Sequence, residues 1–366
     1  MIDITLQILG VVLMSIVLAD VFLTVLYVRS GTSLLSDRLA RWCWRLFRLI
    51  SKLLPQWRDK LLSYCGGIVL LLIISVWVAL LTIGFALIAL PNIGSGIKSS
   101  HSNPSHPWAT AVYYSGANLA TAGTPDIAPR AAGLKIVAVA MPLLGMFLIT
   151  LTVTYLLQVY NALMRRNTFA LSLHFATRCT GDGAELLAGL GAGGDFSSAR
   201  SDMGALATEL ANLYEAHHFY STLLYFRFRD PRYALSRVAI IAMDATTLIR
   251  TALDSSKYRS IQECAATNTL WEAGTNLLGE MARILLPSEY TPPNSPPDEK
   301  TARQWRDHYH AAAARLRQAG ISTTADEAAG VEEYLRLRQK WDRPVRGFAA
   351  YMCHDLAEVD PAVVRR

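Results

Sequence analysis

The segment from Trp108 to Pro129 carries the residues whose types and spacing best suit contact with an ion. Pro107 suits the first position of a helix, where the N–H that proline lacks would have no partner. Such a helix would run to about Leu119, and the partial negative charge of its carboxyl end favours a cation. The next four residues are expected to continue as extended chain, whose carbonyl oxygens and one threonine hydroxyl can replace a cation's hydration shell: Thr121, Ala122, Gly123 and Thr124.

Two further residues shape the outer end of this run. Asp126 would lie at the outer mouth, where its charge raises the local cation concentration. Pro125 has its φ fixed near −65° and pushes Thr124 away from the α region. A proline therefore cannot supply the positive φ that a glycine supplies readily.

Three apolar runs are long enough to cross a bilayer core of about 30 Å. They are Ile4–Val28, Ile68–Leu90 and Ile136–Tyr160. The segment Trp108–Ala122 lies between the second and third runs and is too short and polar to cross, so a re-entrant loop is predicted. The whole chain is 52% hydrophobic and only 17% charged, which agrees with a membrane class.

Basic residues in the short loops set the predicted orientation. The loop after the first run is rich in them: Arg29, Arg38, Arg41, Arg45, Arg48, Lys52, Arg58 and Lys60. The loop that holds the short helix has only Lys98, Arg130 and Lys135. We therefore expect a multi-pass plasma-membrane protein, in a bacterium an inner-membrane protein, with its N-terminus outside and its C-terminal half in the cytoplasm.

The basic loop is itself periodic. Its cations recur at helical spacing beside an apolar repeat: Arg41, Arg45, Arg48 and Lys52 next to Trp42, Leu46, Leu49 and Leu53. This pattern predicts an amphipathic helix in the membrane interface, with its cations near anionic lipid headgroups. A soluble helix packed on the C-terminal domain is the alternative.

Three residues inside the apolar runs stand out. Asp20 is the one charge of the first run, and either an interhelical hydrogen bond or a part in ion passage would explain it. Pro142 and Gly145 interrupt the third run. A gating hinge and close helix packing explain them equally well.

The order of span, pore helix, filter and span resembles the prokaryotic potassium channels with two core spans and a pore loop. Their filter reads Thr-Val-Gly-Tyr-Gly-Asp, which this chain matches at Thr121, Gly123 and Asp126. The stretch Ala19–Gly31 and the run 161–187 also look like a bacterial subgroup with an extra N-terminal span and a helical tail. The resemblance implies passive conduction of a monovalent cation, potassium first, through an axial pore shared by four copies. Because Pro125 replaces the second filter glycine, reduced potassium selectivity is predicted.

The C-terminal half is predicted to be helical, with helices over Ala205–Tyr225, Tyr233–Leu253, Ser260–Leu286, Thr301–Gln318 and Thr324–Trp341. Thr324 and Glu327 have the spacing of a capping box, and the proline-rich run 287–297 is expected to be a linker. Several apparent motifs are interpreted as structural: the glycines 189, 191 and 194 as a loop, and Glu215, His218, Asp307, His308 and His310 as surface or helix-contact residues rather than metal ligands. The five cysteines lack CxxC spacing, so neither a zinc site nor a disulfide framework is indicated.

We therefore predict an all-α membrane protein with three transmembrane helices, a re-entrant pore helix and filter, and an α-helical cytoplasmic domain. Its parts would be an N-terminal span (1–30), an amphipathic basic helix (31–64), a pore module (65–162) and the cytoplasmic domain (163–366). The predicted function is that of a homotetrameric cation channel without enzymatic activity, bound cofactor or nucleic-acid partner. A non-conducting membrane sensor or scaffold with a vestigial pore loop is the alternative.

Overall fold

The computed structural model describes residues 2–27, 33–99, 106–288 and 296–364. Arg29 and most of the predicted proline-rich linker fall outside these ranges. The chain forms two compact units. One, here called the membrane unit, comprises residues 1–49 and 65–161, and the other, the helical unit, comprises residues 50–64 and 162–366.

Three helices are long and apolar enough to cross a membrane, as predicted. Helix α1 covers Ile2–Val21 and continues into a π-helical turn, Phe22–Leu26. Helix α3 covers Arg58–Ala89 and α5 covers Ala132–Ala176, so both extend well beyond the apolar runs. Between α1 and α3 lies the amphipathic helix α2, Ser36–Leu53. Close approach of α1 and α3 depends on glycine, because a Cβ built on Gly10 would lie 2.5 Å from the carbonyl oxygen of Gly84.

A short helix and a small hairpin lie between α3 and α5. Helix α4 covers Pro107–Leu119. Strand β1, Ile97–Ser99, pairs antiparallel with β2, Ile127–Pro129, which follows α4 in the chain. The sequence did not predict this pair, since three residues are too few for a strand pattern.

The helical unit is built around one buried helix. Its elements are α6 (Gly183–Leu190), α7 (Ala199–Phe219), α8 (Leu235–Thr251), α9 (Ser255–Gln262), α10 (Ala265–Leu285), α11 (Glu299–Gln318), α12 (Glu327–Tyr351), α13 (Leu356–Val359) and α14 (Pro361–Val364). Fourteen of the seventeen residues of α8 are buried, and α6, α10 and α12 pack around it. The predicted helical character of this half is confirmed.

Several details of the predictions for this half were wrong. Helix α7 ends at Phe219 and not at Tyr225, and Gly189, predicted to lie in a loop, is in α6. The segment Ser260–Leu286 is two helices, because Cys264 adopts an extended conformation and caps α10. Helix α12 begins at Glu327, where the Asp326 side chain accepts the Ala329 N–H at 3.0 Å. Thr324 is not the cap, since its own N–H is donated to Ala252 O at 2.9 Å. A nearer capping residue therefore displaced the predicted capping box.

Candidate pore site

Helix α4 forms the base of the predicted ion site. Pro107 occupies its first turn, as expected from the missing N–H of proline. The helix buries Ala111, Tyr114, Ser115 and Leu119. It ends where the predicted filter run begins, so its carboxyl-terminal partial charge is directed toward that run.

The first filter residue closes the helix instead of extending from it. Thr121 has a φ of 61° and donates its N–H to Asn118 O at 3.0 Å, while Ala122 donates to Ala117 O at 2.9 Å. This pair of bonds is the Schellman motif, which satisfies carbonyls that a helix end leaves without partners. The expectation that Thr121 would be extended was therefore wrong in this chain.

The residues of the turn are nevertheless open. Ala120, Thr121, Ala122 and Gly123 are exposed. Gly123 has a φ of 74°, and apart from its chain neighbours no described residue has an atom within 4 Å of a Cβ built on it. A single chain thus leaves this polar turn uncovered on one side.

Side-chain hydrogen bonds stabilise the outer half of the predicted filter run. Thr124 Oγ1 donates to Ile127 O at 3.1 Å, and Asn118 Nδ2 lies 3.4 Å from the same hydroxyl. Asn118 also donates to Tyr114 O at 2.7 Å. Sequence reasoning missed Asn118, whose only signal is an amide in the last turn of an otherwise apolar helix. Beyond this brace, Pro125 is exposed and Asp126 is half-buried.

Gly145 lies against the end of α4. A Cβ built on it would be 1.8 Å from Leu119 O, so only glycine allows α5 to pass this close to the carboxyl end of the short helix. Helix α5 is continuous through Pro142. Of the two explanations for these residues, close packing now has a geometric basis for Gly145, while the hinge stays a prediction.

Asp20 links three elements of the membrane unit. Its Oδ1 accepts the N–H groups of Leu34 and Leu35, both at 2.7 Å. Its Oδ2 accepts the Ser36 hydroxyl at 2.6 Å and the Trp77 Nε1–H at 2.8 Å. The carboxylate is fully buried and sits at the amino end of α2, where a negative charge is favoured. It therefore makes the interhelical hydrogen bond that was one of its two explanations.

Helix α2 shows the two predicted stripes. The cations Arg41, Arg45 and Lys52 are exposed, and Arg48, the fourth of the predicted stripe, is half-buried. The neighbouring apolar side chains are exposed too: Trp42 by 70%, Leu46 by 54%, Leu49 by 59% and Leu53 by 74%. The opposite side is buried at Ala40, Cys43 and Trp44. Exposed apolar surface of this extent beside cations suits the headgroup region of a membrane.

A buried charged cluster lies at the centre of the helical unit. Asp244 contacts the Nε2 of His308 at 2.9 Å and the Nη1 of Arg338 at 3.2 Å, and also accepts from the Tyr334 hydroxyl. Arg338 is fully buried and pairs with Asp360 at 2.7 Å. Burial alone would raise the pKa of Asp244, but His308 and then Arg338 lower it to about 2.

The same cluster includes the one group of potential metal ligands in the described part of the chain, Asp182, Asp244 and His308. Both oxygens of Asp244 already have protein partners, and Asp182 caps α6 by accepting the Ala184 N–H at 2.9 Å. This arrangement suits a structural ion-pair cluster better than a metal site. Burial lowers the pKa of His308, but the attraction of Asp244 and its hydrogen bond together reverse this, and the pKa is raised.

Comparison with known proteins finds a similarity to ion channels. A family model described as "Ion channel" matches residues 72–162, which include most of α3, the whole of α4 with the turn after it, and α5 up to Ala162. The chain is also 28% identical over 240 residues to the uncharacterized membrane protein YdjJ of Bacillus subtilis, an alignment that covers 66% of this chain and 68% of that protein. No solved structure matches.

Proposed function

We propose that this protein is a cation channel of the potassium-channel type, with reduced selectivity, whose pore forms on an axis shared by four copies. The observation that carries the proposal is the exposed turn of residues 120–123, which lies inside the region matched by the ion-channel model. Carbonyl oxygens at the carboxyl end of a short helix are suited to replace the water around a cation.

A lone chain could not use this turn in a membrane. An unsatisfied backbone group in lipid costs several kcal/mol, so irregular backbone at membrane depth must face protein or a wet cavity. Further copies of the chain, arranged by cyclic symmetry, would provide both. The exposed face of α5 would then line the inner part of the pore; it carries Leu143, Phe147, Thr150, Thr154 and Leu157 in one stripe.

Selectivity is proposed to be weak for a backbone reason. The bonds of Thr121 and Ala122 to α4, together with Pro125, are incompatible with the potassium filter's continuous carbonyl ladder. Reversal potentials of the purified protein in bilayers, with potassium and sodium on opposite sides, test this. We expect a small preference for potassium, and a larger one after Thr124→Tyr and Pro125→Gly together. Strong exclusion of sodium by the native protein would contradict the backbone argument.

A substitution in the same turn tests whether the protein is instead a non-conducting sensor. Gly123→Ala adds a methyl group that meets nothing in one chain but would narrow a shared axis. Its matched control is Gly193→Ala in the helical unit, where φ is also positive, at 70°, and nothing lies within 4 Å. A channel should lose current in the first variant and keep it in the second. Absence of current in the native protein and in the Tyr-Gly variant would favour a non-conducting sensor.

We also propose that the N-terminus lies outside, that α2 rests on anionic headgroups at the cytoplasmic surface of the plasma membrane, and that the helical unit is cytoplasmic. The density of cations in and around α2 supports this orientation. Cysteines introduced at exposed Ser95 and exposed Gln56, in a background without the natural cysteines, should react with an impermeant reagent from opposite sides, Ser95 from outside. Reaction of both from the same side would contradict the topology.

A further inference from the structure

A small cavity lies inside the helical unit, next to the amino end of α8. Its polar lining consists of Arg166, His217, Arg227, Tyr233, Ser236 and His354. Its volume is about 20 Å³, which is room for one particle the size of a water molecule. None of the described residues that line it carries a carboxylate.

Arg166 brings a buried positive charge to this cavity. Its Nη1 donates to Leu223 O at 2.9 Å and its Nη2 to Phe226 O at 2.7 Å, so both bonds are to neutral carbonyls. Its Nε has no hydrogen-bond partner among the described residues. Burial lowers the pKa of Arg166 to about 10, which leaves it charged at neutral pH. A buried charge without a counter-charge is costly, so an anion in contact with it would be stabilised.

Arg227 adds a second donor without adding to the surplus of charge. Its Nε donates to Met352 O at 2.9 Å, and its Nη2 pairs with Asp59 at 2.7 Å. Its Nη1 is buried and has no partner among the described residues. Because Asp59 balances Arg227, the net charge around the cavity is the single positive charge of Arg166.

The amino end of α8 also favours an anion in the cavity. Its cap residue is Ala234, which has no side chain able to accept from the first turn. Ala234, Leu235 and Ser236 all line the cavity, and the first amides of a helix have no acceptor within it. The Ser236 hydroxyl has no partner in the described ranges either, and Ser236 is only 3% exposed. Helix amino ends with free donors are common anion sites.

The histidines contribute little charge. His217 is buried and its Nδ1 lies 2.9 Å from Leu213 O, which it must meet as a donor. Burial, and then Arg166, lower the pKa of His217 to about 3, so the ring is neutral near pH 7 and its Nε2 is an acceptor. The donors available to a ligand include the two arginines, Ser236 and the first turn of α8.

We propose that this cavity binds one small monovalent anion, chloride being the common example, through Arg166, Arg227, Ser236 and the amino end of α8. One negative charge balances the surplus, and one water-sized particle fills the volume. A tetrahedral phosphate or sulfate is larger than the cavity, and it carries more negative charge than the surplus of positive charge there. Arg166 belongs to α5 and Asp59 to the first turn of α3, so the anion would stabilise the arrangement of these two helix ends within the helical unit.

The test is a halide titration of the full-length protein in detergent. Potassium gluconate is replaced by potassium chloride or bromide at constant ionic strength, and the thermal unfolding temperature is measured. We expect a saturable rise with chloride and bromide, and none with sulfate or phosphate of equal ionic strength. A rise of equal size in all salts, or one specific to sulfate or phosphate, would overturn the proposal.

Single-residue variants locate the effect. Ser236→Ala removes one donor but no charge, and should weaken halide affinity about tenfold, the value of one charge-assisted hydrogen bond. The control is Ser256→Ala at the exposed start of α9, which should behave as the native protein. Arg166→Lys keeps the positive charge, so it can be used where other replacements of Arg166 unfold the domain. It should also weaken the stabilisation by halides. An unchanged halide response in both Ser236→Ala and Arg166→Lys would exclude this cavity. The readout is binding, so it is independent of whether the pore conducts.

Discussion

At the scale of single residues, Asp20 shows how a charge inside a membrane span can serve structure. One carboxylate accepts hydrogen bonds from the segment that starts α2 and from Trp77 of α3. The three elements are therefore fixed to one another at a single buried point.

Replacing this carboxylate should loosen the membrane unit. In Asp20→Asn, an amide nitrogen takes the place of one oxygen and faces backbone N–H groups or Trp77 Nε1–H. We expect a loss of about 2–3 kcal/mol, the value of hydrogen bonds to a charged group, with a lower unfolding temperature in fluorescence-detected size-exclusion chromatography. Asp3→Asn, at the exposed start of α1, is the control and should be neutral. An unaltered unfolding temperature for Asp20→Asn would contradict this role.

The ion pair of His308 with Asp244 predicts a dependence of stability on pH. The pKa of His308 is raised above 6.5, so its contribution is fully present below pH 6.5 and is lost as the pH rises through the folded-state pKa. The pKa of Asp244 is lowered from 3.8 to about 2, so its contribution is present above pH 3.8 and is lost as the pH falls toward 2.

Denaturant unfolding of the full-length protein at several pH values tests this pair. His308→Asn should cost about 3–5 kcal/mol at pH 6 and remove the decline in stability above pH 6.5. His310→Asn, two residues along the same helix and exposed, should keep that decline. If His308→Asn retained the full pH dependence, the pair would not be its source.

At the scale of elements, the contact between α4 and α5 is decisive because it positions the candidate ion site. Gly145→Ala would place a methyl group 1.8 Å from Leu119 O, so the two helices must separate. Overpacking of this kind costs about 1–3 kcal/mol. Gly133→Ala on the same helix meets nothing within 4 Å and is the matched control.

This experiment distinguishes the two explanations of Gly145, close helix packing and a gating hinge. Close packing predicts that Gly145→Ala lowers thermal stability while Gly133→Ala does not. A hinge predicts instead that Gly145→Ala folds normally but changes the open probability in bilayer recordings, as Pro142→Ala would. A stable Gly145→Ala protein with native currents would contradict both.

At the scale of the whole molecule, the proposed pore predicts that the exposed turn after α4 meets other copies of the chain. We expect a homotetramer in native mass spectrometry, and crosslinks between subunits through cysteines placed at Asp126, which lies beside the turn. In the proposed pore, four chains would enclose the axis and each would supply one such turn. A stable monomer or dimer in native-like lipid, with no larger species, would remove the basis for an axial pore.

The sequence predicted those features that depend on periodic patterns. The three long helices and the basic stripe of α2 follow from repeated residue types, which act over a single element. Features that depend on one distant contact could not be predicted. Trp77 lies 57 residues from its partner Asp20, and nothing in either local sequence joins them. Thr121 was expected to be extended. It is not, because the turn that it forms lets two carbonyl groups at the end of α4 accept hydrogen bonds.

The composition of the helical unit has a consequence for biosynthesis. Residues 50–64 belong to it although the rest of its chain begins only at residue 162. Arg58 donates to Cys353 O at 2.8 Å, so this bond cannot form until the ribosome has synthesised residue 353. The second and third membrane helices are translated within that interval. A chain that ended before residue 353 would therefore lack the Cys353 carbonyl oxygen, which accepts hydrogen bonds from both Arg58 and Arg227.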